Sequence, residues 1–293
     1  MQNDYSPKVK KLFEKYQRDE ETAHMLYTKI AAREKSKYNK KILMQIASDE
    51  KEHALVWKRY CGKNIKPSKL KFLWYSFLAR VMGYTFVIKL MEKNEYTGIN
   101  DLLVIENEVP EVKEIIRQEK EHEEKLRGLL DEDRLKYIGA IILGLNDALV
   151  ELTGTIAGLT FALTSTKLVA VAGIITGTAA TLSMAASNYL AERANGNPNA
   201  LKASFYTGIA YLVTVILLVL PYLIYPNNRY ILAFITTLAI MIFIIFFFNY
   251  YISVAKSLSF FKKFTEMACI SLGVTLIAFG IGIAAKHFLN IDV

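Results

Sequence analysis

Two short motifs in the first half of the chain each place a histidine three residues after a glutamate. They are Glu50 with His53 and Glu119 with His122, in charged segments that have a helical pattern. On a helix, side chains at i and i+3 point the same way, so one carboxylate and one imidazole can reach a common ion. One such motif in a charged helix is usually surface decoration, but two of them in alternate helices indicate a metal site.

Two further segments supply acids that belong to the same pattern. Glu20 shares a helical stripe with Ala23 and Tyr27 in the first segment, and Glu92 and Glu95 lie in the third. Two Glu-x-x-His helices, with one inward glutamate from each of two other helices, form the ligand set of dinuclear carboxylate bundles. We therefore predict a dinuclear metal site with the ligands Glu20, Glu50, His53, Glu92 (or Glu95), Glu119 and His122. Which of Glu92 and Glu95 bridges the metals stays open.

A third constellation lies in residues 138–159, which are apolar and long enough to cross a bilayer. Asp147 and Glu151, at i and i+4, fall on one face of this helix, and Gly144, Gly154 and Gly158 fall on the same stripe. An ionisable group at membrane depth costs at least ~2.5 kcal/mol and usually marks a functional site. The glycines would let another helix or a ligand approach the backbone closely.

The second apolar span adds a face of small residues that includes a thioether and an amide. Gly173, Gly177, Ala180, Met184 and Asn188 recur there at helical spacing. Small residues favour close helix packing, whereas a thioether beside carboxylates favours a transition metal over Mg²⁺ or Ca²⁺. Asp147, Glu151, Met184 and Asn188 are therefore the candidate functional residues of these two spans.

Charge density divides the chain into two unlike halves. The 293 residues are 53% hydrophobic and 22% charged, but most charges lie before residue 137. We predict two domains, 1–133 and 134–293. The fold class is all-α, with an N-terminal four-helix bundle followed by a five-helix transmembrane bundle. The four helical segments lie at about 6–35, 38–60, 70–104 and 110–130, and the five apolar spans at 137–163, 168–190, 205–225, 230–254 and 266–286.

The distribution of basic residues predicts the partners and the orientation. The net charge is +8, but acids alternate with the N-terminal basic residues and no basic surface motif with aromatics appears, so we expect no nucleic acid. Residues 69–90 are apolar but contain Arg80 and Lys89, which favours an amphipathic helix over a span. The loops after spans two and four are richer in Lys and Arg than the other loops. The five apolar spans predict an integral membrane protein, of the cell membrane in a prokaryote. The bias of Lys and Arg predicts its orientation, with the N-terminal half in the cytoplasm and the C-terminus outside.

The first half resembles the ferritin-like superfamily, and within it the rubrerythrin branch. The resemblance rests on EETAHMLY at 20–27, DEKEHA at 49–54, EKNE at 92–95 and EKEHE at 119–123. It implies a site for dinuclear iron, with Mn²⁺ or Zn²⁺ as alternatives. In rubrerythrins both glutamates of the third helix serve that site. The chain lacks a Cys-x-x-Cys pair, so the rubredoxin-type iron centre of rubrerythrin is absent from it.

The second half resembles the vacuolar iron transporter family. The matching motifs are LNDALVEL at 145–152 and LSMAA at 182–186 with Tyr189. The resemblance implies that Asp147 and Met184 line an ion path at a homodimer interface, with protons moving in the opposite direction. With this resemblance, we predict a transport path that contains Asp147, Glu151, Met184 and Asn188. Thr176 and Asn188 stand where acids occur in the family, so the coupling ion stays open.

With both halves taken together, the chain is similar to membrane-bound ferritin fusions. This similarity implies export of Fe²⁺, or of Mn²⁺, from the cytoplasm by proton antiport. The first half would collect or sense iron, with ferroxidase activity an open question. The alternative is a membrane-anchored diiron oxidase or peroxidase whose spans serve only as an anchor. Such an anchor needs neither Asp147 nor Glu151. A third alternative is an iron sensor whose membrane half does not conduct ions.

Overall fold

The structure is a computed structural model that describes residues 5–106, 109–127, 137–256 and 258–288, without the side chains of 95–101, 104 and 127. Throughout these ranges the regular structure is helical and no strand occurs, so the all-α prediction is confirmed. The chain divides into two compact units, Met1–Glu132 and Asp133–Val293.

The N-terminal unit contains five helices in its described residues. They are α1 (Pro7–Arg33), α2 (Lys37–Cys61), α3 (Lys69–Val81), α4 (Tyr84–Val104) and α5 (Val112–Arg127). The prediction of a single helix over 70–104 was wrong, because the helix is interrupted at Gly83 and a second helix begins after it. Its φ of 97° lies in the left-handed region that glycine tolerates and other residues avoid. The ferritin-like assignment of this unit stays a prediction.

Serine caps explain where three of these helices begin. The side chains of Ser6, Ser36 and Ser68 each accept a hydrogen bond from the backbone N–H three residues later. A serine at this position satisfies one of the N–H groups that have no partner within the helix. Proline follows the first cap, where its fixed φ suits the first helical turn.

An aromatic cluster joins α1 to α2. The ring of Trp57 stacks on Phe13 at 5.9 Å and on Tyr16 at 5.2 Å between centroids. Trp57 is fully buried, and apolar side chains of α4 and α5 complete the cluster. Tyr16 lies one turn before Glu20, and Trp57 one turn after His53. The cluster therefore fixes the register of α1 and α2 next to the predicted ligands.

The described residues of the second unit form five helices long and apolar enough to cross a membrane, as predicted. They are α6 (Ile138–Leu163), α7 (Thr166–Ala194), α8 (Ala200–Ile224), α9 (Tyr230–Ala255) and α10 (Phe260–Phe288), and a short 3₁₀ turn (Asn227–Arg229) precedes α9. Each exceeds the ~20 residues that span the hydrocarbon core. Their outward faces carry many exposed Leu, Ile and Phe side chains, which is typical of lipid contact.

Glycines bring these helices close together. A Cβ added at Gly144 would lie 2.3 Å from the carbonyl oxygen of Thr207 on α8, and one at Gly282 would lie 2.3 Å from that of Gly158 on α6. A Cβ at Gly177 would meet the side chain of Val215 on α8 at 2.5 Å. The small residues on the predicted stripes therefore serve helix packing within one chain.

Candidate metal centre and membrane carboxylates

Three helices of the N-terminal unit bring four predicted ligands together. Glu20 comes from α1, Glu50 and His53 come from α2, and Glu119 comes from α5. Each offers one ligand atom, and these atoms all lie within 4.8 Å of one another. Glu50 and His53 are only 1% and 2% exposed, so the group is closed on the side of α2. A single ion could reach all four side chains.

His122 lies against the same group. Its Nδ1 is 3.3 Å from Glu50 Oε1 and 3.6 Å from Glu119 Oε2, while His53 Nδ1 is 3.1 Å from Glu119 Oε1. The two imidazole centroids are 6.1 Å apart. Both rings therefore direct Nδ1 towards the carboxylates of Glu50 and Glu119. The i, i+3 spacing of each motif places its histidine and glutamate on one side, as predicted.

The buried atoms of this group fit a metal ion. Both oxygens of Glu50 and the Nδ1 atoms of His53 and His122 are buried and make no hydrogen bond of ordinary geometry. Leaving such atoms without partners costs free energy that a bound cation would offset. Carboxylate oxygens with imidazole nitrogens suit Fe²⁺, Mn²⁺ and Zn²⁺. The donor set therefore fits a divalent transition-metal ion.

The charges of the group shift its pKa values in opposite directions. Burial raises the pKa of Glu20 well above its usual value, and the negative charges of Glu50 and Glu119 raise it further. Burial alone would also raise the pKa of Glu50, but its contacts with His122 and His53 lower it below its usual range. The metal-free group therefore keeps a proton on Glu20 more readily than on Glu50.

Both imidazoles hold their protons strongly in the metal-free group. Burial alone would lower the pKa of His53, but the carboxylates of Glu119 and Glu50 outweigh burial and raise that pKa to about 12. The same two carboxylates outweigh burial at His122 and raise its pKa to about 10. A metal must displace these protons, because only a neutral imidazole nitrogen can bind it.

The Nε2 atom of each imidazole, which points away from the group, lies at hydrogen-bond distance from a residue that was not predicted as part of the site. His122 Nε2 lies 3.0 Å from Asp49 Oδ2, and His53 Nε2 lies 2.7 Å from Gln118 Oε1. Each partner directly precedes the glutamate of the opposite motif. Comparing the two repeats one residue further upstream, DEKEH against QEKEH, would have pointed to this pair. Such outer hydrogen bonds fix the ring orientation that metal binding needs.

Glu92 stands outside the group of four. Its Oε2 lies 3.1 Å from Lys89 Nζ, one turn earlier on α4, and both side chains are 10% exposed. The ammonium of Lys89 offsets the negative charge of this carboxylate. The side chain of Glu95 lies outside the described residues. The participation of these two glutamates stays a prediction.

A cavity gives access to the group from the surface of the N-terminal unit. Its volume is about 310 Å³, and its wall includes Glu20 and Glu119. Asp19, Lys71 and Tyr75 line it too, and Lys71 Nζ lies 2.7 Å from Asp19 Oδ1. A metal ion or a small oxidant could approach Glu20 and Glu119 through this space.

The two carboxylates of α6 differ in their surroundings. Asp147 is half-buried, whereas Glu151 is exposed on the surface of the single chain. The hydroxyl of Tyr211, a fully buried residue of α8, donates a hydrogen bond of 2.9 Å to Glu151 Oε2. Tyr211 was missed because a tyrosine within an apolar span is usually a packing residue. Its contact shows that α8 helps to orient Glu151.

The two predicted path residues of α7 make other contacts. Met184 is half-buried and packs against the apolar core of the second unit. The amide of Asn188 donates to Thr207 Oγ1 at 2.8 Å, and this hydroxyl donates to the carbonyl of Ala140 at 3.0 Å. Asn188 thus links α7 to α8 and α6. Across 137–256, no hydrogen bond joins Met184 or Asn188 to Asp147 or Glu151.

The comparison with known proteins bears on α6 and α7. Residues 138–197 match the VIT family. The matched stretch contains all four residues of the predicted path. No curated protein matches the chain. The family match over residues 138–197 and the five apolar helices of the described residues together support a membrane transporter domain in an integral membrane protein.

Proposed function

We propose that the protein moves Fe²⁺, and Mn²⁺ as a second cargo, out of the cytoplasm in exchange for protons. One observation carries the proposal: Asp147 and Glu151 lie one turn apart in an apolar helix, α6, within the stretch that matches the VIT family. A helix that only anchors a protein has no use for two carboxylates at membrane depth. Carboxylates bind either a divalent cation or a proton, which suits an exchanger.

The exposure of Glu151 supports a homodimer. In a single chain this side chain accepts a hydrogen bond from Tyr211 but stays exposed and would face hydrocarbon, where a carboxylate is costly. A second copy placed against α6 would cover it and enclose a path between the two protomers. The cargo ion would then contact Asp147 and Glu151, with the thioether of Met184 favouring a transition metal over Mg²⁺ or Ca²⁺.

The N-terminal unit collects or senses the metal on the cytoplasmic side in this proposal. Glu20, Glu50, His53, Glu119 and His122 would hold a dinuclear centre, completed by Glu92 and Glu95. Bound iron would supply redox chemistry towards oxygen or peroxide. The chain itself positions the carboxylates, orients both imidazoles and admits small molecules through the cavity beside Glu20.

Transport into proteoliposomes tests the proposal. We expect the wild-type protein to move Fe²⁺ and Mn²⁺ when a pH gradient is imposed, and Asp147→Asn to abolish this flux while preserving side-chain size. Glu266→Gln is the matched control, because Glu266 is an exposed acid at the beginning of α10 that pairs only with Lys263 among the described residues. Wild-type flux in Asp147→Asn would refute the proposed path.

A membrane-anchored diiron oxidase or peroxidase is the second candidate. It is favoured by the closed carboxylate–histidine group beside a cavity large enough for oxygen or peroxide. It predicts that wild type and Asp147→Asn both fail to transport, while both consume Fe²⁺ with oxygen or peroxide. In that case Glu50→Gln should abolish the consumption, since it removes the central carboxylate. A chain that binds iron with neither flux nor turnover would instead support the sensor alternative.

A further inference from the structure

Helix α3 carries an apolar stripe that the N-terminal unit leaves uncovered. None of its 13 residues is buried. Leu70, Leu73, Trp74 and Phe77 are 82%, 62%, 57% and 55% exposed, and their spacing puts them on one face. Scattered exposed leucines are common on protein surfaces, but a continuous stripe of large apolar side chains marks an interaction surface.

The opposite side of α3 is tied to α1. The backbone N–H of Ser68 donates to Thr22 Oγ1 at 2.9 Å, and Lys71 forms its ion pair with Asp19. The ammonium of Lys29 lies 4.6 Å from the ring centre of Phe72. These contacts fix the rotation of α3 about its axis. The stripe therefore faces away from α1 as a consequence of the fold.

The stripe lies within a segment whose Lys and Arg side chains are not accompanied by any Asp or Glu. Residues 53–91 contain eight Lys and Arg and no Asp or Glu. Four of the eight pair with acids elsewhere in the unit. Lys66, Lys69 and Arg80 are exposed and form no ion pair with any described residue. Lys69 and Arg80 lie along one edge of the apolar stripe, three helical turns apart.

We propose that α3 docks on the surface of an anionic lipid bilayer, with the stripe in the headgroup region and the basic edge on the lipid phosphates. Helices that lie in a membrane interface combine Trp, Phe and Leu on one face with Lys and Arg beside it. The described residues of the same chain include five membrane-length helices, so the protein is attached to a bilayer on which α3 can dock. The inference goes beyond the transport proposal and does not depend on it.

The charge of the segment argues for lipid over a second copy of this chain. Pairing two α3 helices through their stripes would bring two wholly basic segments together, with no acid between 53 and 91 to offset the repulsion. An anionic surface complements the same charges. A dimer through α3 is therefore the alternative that the experiment must separate from lipid docking.

Tryptophan quenching in nanodiscs tests the docking. The chain has only two tryptophans, Trp57 in the core and Trp74 on the stripe, so subtracting the Trp74→Phe spectrum isolates Trp74. In full-length protein in anionic nanodiscs with brominated acyl chains, we expect Trp74 to be quenched several-fold more than Trp57. Zwitterionic nanodiscs or high salt should remove most of the difference, because the attraction to headgroups is electrostatic.

Charge reversals provide the matched comparison. The double variant Lys69→Glu with Arg80→Glu should lose the quenching of Trp74. Lys40→Glu with Lys41→Glu, an equal change of charge at exposed positions of α2, should keep it. Equal quenching of Trp74 in anionic nanodiscs, zwitterionic nanodiscs and unbrominated controls would overturn the proposal. The proposal would also be overturned if the variant Phe77→Cys formed an intermolecular disulfide that the wild-type protein does not form, while Trp74 stayed inaccessible to the lipid quencher.

Discussion

The hydrogen bond between Asp49 and His122 should control metal affinity in the N-terminal unit. Asp49 Oδ2 accepts from His122 Nε2 at 3.0 Å, and Gln45 Nε2 holds the other oxygen at 2.8 Å. This arrangement keeps the proton on Nε2 and directs the free Nδ1 towards Glu50 and Glu119 when the imidazole is neutral. Replacing Asp49 changes no atom of the group of four, so the effect must act through the orientation and the basicity of His122 and through the loss of one nearby negative charge.

The size of the effect follows from what each substitution leaves behind. Loss of an outer hydrogen bond to a metal-binding histidine typically lowers affinity about 10–100-fold. Asp49→Asn retains a neutral acceptor of the same shape, so we expect a loss near ~10-fold, or about 1.4 kcal/mol. Asp49→Ala leaves a buried N–H of His122 unpaired, which costs more, and we expect a loss near ~100-fold.

Competition between the full-length protein and a chelator for Co²⁺, followed by visible absorption, measures these affinities. Glu52→Gln is the matched control, because Glu52 is exposed on the same helix and its change removes the same charge. Its affinity should equal that of wild type. The hydrogen bond between Asp49 and His122 does not control metal affinity if Asp49→Ala binds Co²⁺ as tightly as wild type, or if Asp49→Asn binds more weakly than Asp49→Ala.

Two further outcomes test the packing and the protonation. Gly282→Ala should lower the thermal midpoint in detergent, because its Cβ would lie 2.3 Å from the Gly158 carbonyl oxygen, and overpacking costs about 1–3 kcal/mol. Gly280→Ala, with nothing within 4 Å, should not lower it; equal midpoints would contradict the contact between α6 and α10. Metal affinity should rise with pH, because the pKa values of His53 and His122, about 12 and about 10, lie above the usual value and protons compete with the metal throughout the neutral range. Calorimetry in buffers of different ionisation enthalpy counts the protons released, and a count of zero at neutral pH would contradict this competition.

The features that depend on local spacing were predictable. Length and apolar composition within one segment decide whether a helix can cross a bilayer, and the five spans were found on that basis. The Glu-x-x-His repeats were found because i, i+3 geometry belongs to a single helix. The break at Gly83 was missed, because an isolated glycine in an apolar segment is compatible with a continuous helix until its φ is known.

Contacts between helices were much less predictable, since they depend on rotation and register. Glu92 has the residue type and the helix expected of a ligand, but only the packing of α4 decides how near it lies to the group of four, and its Oε2 lies 3.1 Å from Lys89 Nζ. In the sequence, Tyr211 has the character of a packing aromatic within an apolar span. Only the packing of α8 against α6 shows that its hydroxyl donates a hydrogen bond to Glu151. Asn188 was predicted from its position beside Met184 on one face, but its amide bonds to Thr207.

The sequence by itself determined the two-part organisation, the helical class, the five spans and the residues able to bind a metal, because composition and periodicity act within each segment. Only the tertiary structure decided that Glu20, Glu50, His53 and Glu119 lie within 4.8 Å of one another. The same holds for the pairing of Asp49 and Gln118 with the opposite histidines, and for the uncovered stripe on α3. The physical reason is that side chains from different helices meet only after packing has set the distance, rotation and register of each pair.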